Sequence, residues 1–218
     1  MKRFVIGIVL VALTGCSKEP VYDGKTLSAW RQQVKQGDPA ARQAALHALG
    51  TVGAEAAAAV PDIAAALKDA DTKVRVEAAQ ALWSMGPKAA ASLAELTVAS
   101  KDKNAEVRMC VAGALGSIAP EATEAIPALA DMLKDKDETV RHGVTKALMG
   151  LGRAAAPAVP ALADAMKDKS ATVRIGAAYA LAEIGTDAKG AIPALQAALK
   201  DKDAEVHSAA AHALGRIK

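Results

Sequence analysis

Aromatic side chains are nearly missing from this chain: two tryptophans, two tyrosines and one phenylalanine in 218 residues, or 2%. Sheet cores draw on aromatic and β-branched residues, so this scarcity beside 52% hydrophobic content points to closely packed helices rich in small side chains. Cysteine is also scarce. With only Cys16 and Cys110, no disulfide framework holds the fold together. A surplus of one charge is lacking too, at 27 Lys and Arg against 24 Asp and Glu, and this excludes the basic footprint that phosphate-dominated nucleic-acid binding needs. The longest apolar run, Phe4 to Leu13, has ten residues. A bilayer core of about 30 Å takes roughly 20, so a lasting transmembrane helix is excluded at this end.

What is present begins with that run. Preceded by Lys2 and Arg3, it reads as an export signal. The Leu13-Thr14-Gly15-Cys16 stretch that follows resembles the lipobox of bacterial lipoproteins. The resemblance implies removal of residues 1–15, attachment of a diacylglycerol and palmitate-type chain to Cys16, a tether over 16–24, and a folded domain over 25–218. Ser17, rather than Asp, is similar to the outer-membrane-directed pattern, which implies the periplasmic face of the outer membrane in a double-membraned envelope. Losing Lys2 and Arg3 leaves 25 basic against 24 acidic residues, so the expected exported chain is close to neutral.

From residue 27 onward the sequence repeats with a period of 33 residues: Arg42, Arg75, Arg108, Arg141, Arg174 and His207 fall in register, as do Leu49, Leu82, Leu115, Leu148, Leu181 and Leu214. Six copies result. Within each, a helix is expected after Asp38, Asp71, Asn104, Asp137, Ser170 or Asp203, all residues that accept hydrogen bonds from a free first turn. Counted from the arginine, apolar residues at −1, +3, +6, +7 and +10 form one stripe, and Gly53, Gly86, Gly152 and Gly185 mark helix ends. Pro61, Pro127, Pro160 and Pro193 open a preceding helix. A pair of such helices cannot bury its stripe alone, whereas stacked pairs can. The expected fold is all-α, a right-handed α-solenoid of about six 33-residue helical hairpins.

The T-P-L-H-x-A signature of ankyrin repeats, which share this period, is absent. The pattern Pro-x-Leu, then Asp-x-x-Val-Arg-x-x-Ala-x-x-Ala-Leu-x-x-Ile-Gly, resembles the short HEAT-like repeats also called PBS-lyase-type. That resemblance implies hydrogen bonds between neighbouring copies, made by the recurring aspartate and arginine: Asp71, Arg75, Arg108, Asp137, Arg141 and Arg174. One pair copied along a line is a ladder and not an active site, which needs converging unlike groups.

Two enzyme families share the repeat and define the alternative reading, a cofactor- or metal-holding lyase or oxidoreductase. Deoxyhypusine hydroxylases bind iron through His-Glu dipeptides, but His47, His142, His207 and His212 are followed by Ala48, Gly143, Ser208 and Ala213. Bilin lyases hold an open-chain tetrapyrrole in the groove, and both families act on cytosolic substrates, unlike an exported chain. The expectation is therefore a non-enzymatic scaffold, with no cofactor and no metal.

In HEAT-like solenoids the side of the second helix opposite the stripe lines the concave surface. There, at +1, +5 and +8, this chain places Val76, Trp83, Met109, His142, Lys146, Met149, Ile175 and Tyr179, residues that vary from copy to copy while the framework does not. Large apolar groups on a side expected to face solvent mark an interaction site, so a protein or peptide is the expected partner. Self-association through an apolar edge around Leu214 and Ile217 in the last copy is a further expectation.

Overall fold

The computed structural model describes residues 19–120 and 122–217; the expected signal segment and Cys16 lie outside them. The chain opens with a two-stranded hairpin, β1 (Val21–Tyr22) against β2 (Lys25–Thr26), folded onto the first helix. Trp30 Nε1 donates to the Tyr22 carbonyl at 2.8 Å, and Glu19 accepts from the Ser28 amide at 2.6 Å. Val21 and Tyr22, within the stretch read as a tether, are thus paired in this hairpin and joined to the first helix.

Helical pairs follow. The second helices are α2 (Pro39–Val52), α4 (Thr72–Met85), α6 (Ala105–Ile118), α8 (Glu138–Leu151), α10 (Ala171–Ile184) and α12 (Ala204–Ile217), each of 14 residues. The first helices are shorter: α1 (Leu27–Gln36), α3 (Val60–Ala66), α5 (Leu93–Ala99), α7 (Ala125–Met132), α9 (Val159–Ala165) and α11 (Ile192–Ala198). Asp38, Asp71, Asn104 and Asp137 cap their helices by accepting amide hydrogens of the first turn, as at Asp71 from Lys73 N at 2.8 Å. Ser170 sits at the same position without a side-chain cap bond; its hydroxyl donates to Glu138 instead, at 2.6 Å.

The sequence pattern did not foresee the form of the first helices. Between Gly53 and Ala59, Gly86 and Ser92, Gly152 and Ala158, and Gly185 and Ala191 the chain winds as a 3₁₀ segment before the α-helix begins. Pro61, Pro160 and Pro193 stand in the first positions of α3, α9 and α11, where the missing amide breaks continuity with the segment before. The glycines make the turn itself. Gly86 and Gly152 have φ +57 and +53 with ψ −139 and −131, a combination open essentially to glycine alone. Ala119, their counterpart in the third copy, stays helical at φ −56, and among the described residues no 3₁₀ segment follows it.

The expected apolar stripe forms the core: Leu49, Leu82, Leu115, Leu148 and Leu181 are fully buried, and Trp30 and Val34 close the first copy at 6% and 4% exposure. Second helices of successive copies pack along their length, while first helices touch their counterparts sparsely and meet the neighbouring copy mainly through the 3₁₀ segments. A stack held closer on one side curves toward it, so the second helices line the inner face.

The arginine ladder is present, but its acid partner differs from the one expected. Arg75 pairs with Asp102, Arg108 with Asp135, Arg141 with Asp168 and Arg174 with Asp201, at 2.6 to 2.8 Å, each to the turn of the next copy; Arg42 reaches Asp69 likewise at 2.7 Å. Asp71 and Asp137 are not ladder acids. Their carboxylates are engaged by their own helix amides, two residues beyond the acid that the arginine meets. Each arginine also donates to carbonyls of its own preceding turn, as Arg108 does to the Asp102 carbonyl at 2.8 Å, so one guanidinium ties two turns together.

Candidate functional site

The inner face is built from the +1, +5 and +8 positions of α4, α6, α8 and α10. Two aromatic side chains stand out from it: Trp83 is 49% exposed and Tyr179 42%. The indole of Trp83 lies flat on the next second helix, because a Cβ at Gly113 would fall 2.6 to 2.8 Å from three of its ring carbons. Only a glycine there lets the ring descend to the backbone, with its outer face turned to solvent. Tyr179 leans on His212 of the following copy, with ring centroids 5.9 Å apart at 54°.

The other expected face residues divide by burial. Lys146 is exposed and His142 half-buried, whereas Met109, Met149 and Ile175 are half-buried and pack against the core. Val76 is a correction: at 8% exposure it belongs to the core and offers no surface to a partner. Its +1 position faces inward because closely packed second helices cover the side of each helix nearest its neighbour. The Nδ1 atom of His142 is buried and lacks a hydrogen-bond partner among the described residues.

The +5 positions of successive copies form one row across the helices: Gln80, Gly113, Lys146, Tyr179 and His212. Trp83 fills the slot that Gly113 vacates. The row therefore presents an indole, an ammonium and a phenol ring in consecutive copies. Among the floor positions of copies two to five, Lys146 is the charged side chain, and it makes no ion pair with any described residue.

The remaining features lie elsewhere. An open depression of about 400 Å³ sits on the turn edge between the third and fourth copies, lined by ladder residues Arg108 and Asp135 and by Lys101, Lys103, Lys134 and Lys136. It is shallow and formed by the joints themselves. No group of three or more His, Cys, Asp or Glu that could hold a metal occurs among the described residues. Cys110 is buried, and burial pushes its thiol above the ordinary range. Among the described residues, the apolar edge expected around Leu214 and Ile217 is not exposed. Ile217 is fully buried and Leu214 half-buried, while α12 turns Glu205, His207, Ser208, His212 and Arg216 outward.

The family model for HEAT repeats matches residues 60–149 and 145–215, and the chain belongs to the HEAT-repeat family. A comparison with curated proteins finds no match. Among solved structures, the chain is similar to a designed armadillo repeat protein in complex with the peptide (KR)4, at 22% identity and a TM-score of 0.68, covering 88% of this chain and 99% of that one. It is also similar to computationally designed armadillo repeat proteins for modular peptide recognition, at 23% identity, a TM-score of 0.66 and coverage of 88% and 100%. An engineered protein is similar at 24% identity and a TM-score of 0.66, covering 88% and 96%. These likenesses establish the repeat solenoid as the fold.

Proposed function

We propose that this protein is a membrane-tethered, non-enzymatic HEAT-repeat scaffold of the bacterial cell envelope that holds a protein or peptide on its concave face. The observation that carries the proposal is the pair Trp83 and Tyr179, about half exposed in a chain whose repeated framework leucines from Leu49 to Leu181 are buried. Exposed tryptophan and tyrosine are the residues in which binding energy concentrates. The designed armadillo proteins named above are a precedent, since one holds a peptide and others were made to recognise peptides. The tether rests on Leu13-Thr14-Gly15-Cys16, through which acylated Cys16 would keep the scaffold at a membrane, on the periplasmic face of the outer membrane where there are two.

Crosslinking in intact cells, with capture and mass spectrometry, tests the groove. A partner caught by the wild type and lost from the Trp83→Ala, Tyr179→Ala double variant is the expected result; identical captures would contradict it. The anchor is tested separately by fractionation, with Cys16→Ser expected to leave the membrane and lose an incorporated alkynyl fatty acid.

A further inference from the structure

We infer that the inner row selects an extended peptide with an acidic side chain flanked, three residues before and three after, by apolar ones. The inference deepens the proposed peptide-binding function and rests on it. Adjacent packed helices lie roughly 8–10 Å apart, so Trp83 in the Gly113 slot, Lys146 and Tyr179 are separated by one such step each. An extended chain advances about 3.3 Å per residue, and one step of the row therefore spans about three residues. The polyproline II conformation, with three residues per turn, directs every third side chain to the same side. The repeat of the solenoid and the repeat of such a peptide coincide.

Charge sets the middle position. Lys146 is exposed, has no acid partner among the described residues, and shares its floor with no carboxylate. His142 lies one helical turn before it on the same line. A peptide carboxylate there gains a charge-assisted hydrogen bond, whereas a basic residue meets an uncompensated ammonium. On either side, the open face of the Trp83 indole and the Tyr179 ring receive apolar side chains, proline included.

The test is selection from a displayed library of random twelve-residue peptides against the full chain, purified in mild detergent and immobilised, beside Lys146→Glu and Trp83→Ala variants. Lys146 is exposed, so a thermal melt is expected to match between wild type and Lys146→Glu. Wild type is expected to enrich Asp or Glu with apolar residues at both third neighbours, and Lys146→Glu to enrich Lys or Arg at the same central position. Individual acidic peptides should bind Lys146→Glu at least tenfold more weakly, and Trp83→Ala should lose the preference at one flank. Selected peptides that lack a central acid, or that are the same for wild type and Lys146→Glu, would overturn this specificity while leaving a peptide groove. Failure to enrich any peptide would overturn both.

Discussion

A guanidinium buried to 5% exposure, as in Arg108 and Arg141, survives only if its donors are matched. Each is matched twice, by an aspartate of the next copy and by carbonyls of its own turn. For Asp102, Asp135 and Asp168, burial alone would push the carboxyl up, but the arginine bond and the backbone amide of the turn outweigh it and hold each below its ordinary value. Asp201 is held low chiefly by the Arg174 bond. A carboxyl lowered in the fold lends stability above its unfolded pKa of about 3.9 and loses it as pH falls through the folded value. Thermal melts are thus expected to be level from neutral pH down to about pH 5 and to decline below about pH 4, with Asp135→Asn shallower in that decline. Arg108→Ala should cost about 2 kcal/mol in a denaturant titration, below the full penalty of a broken buried pair because Asp135 retains some water. Asp137→Ala, which removes a cap and leaves the ladder intact, should cost less. Equal losses for the two would contradict the assignment of Asp135 as the ladder acid.

Among the elements, the glycine turns distinguish copies that otherwise look alike. Gly152→Ala forces a side chain into φ +53 and should cost about 1–3 kcal/mol. Ala119→Gly, the reverse change at the equivalent place, should destabilise as well, by about 1 kcal/mol, because residue 119 stays helical. A stabilised Ala119→Gly would mean that the third copy tolerates the turn after all. Element order and the core stripe were legible because a 33-residue period with a 3.6-residue pattern inside it leaves one way to bury Leu82 and its equivalents. The ladder acid was not, since Asp69 and Asp71 both recur in register. A chemical signal was nonetheless present: an ion pair needs a charge in every turn, and the first acid is Asp at 69, 102, 135, 168 and 201, whereas the second becomes Asn104 and Ser170. The 3₁₀ segments left no apolar period to read, since alanine makes up half of them and large apolar side chains are missing from all four. On the face, Val76 and Trp83 look equivalent as letters, and only the approach of α6 at Gly113 seats one as an exposed ring.

At the scale of the molecule, the main contacts among the described residues run between neighbouring copies, so stability is a chain of local terms and a defect at one end need not unfold the other. Trp30 concentrates the first of those terms. It is 6% exposed, donates to the Tyr22 carbonyl at 2.8 Å, and has Lys25 Nζ 4.3 Å from its ring centre. Removing it takes away the hairpin's bond and leaves a cavity that in a single-core domain would cost about 3–5 kcal/mol throughout. Here the loss should stay local. Hydrogen exchange of Trp30→Ala is expected to show α1 and α2 deprotected while α8, α10 and α12 keep wild-type rates, and a denaturant titration should broaden into more than one transition. Uniform deprotection across all copies would mean that the ladder couples the six into one cooperative unit, and that the arginines determine cooperativity as well as spacing.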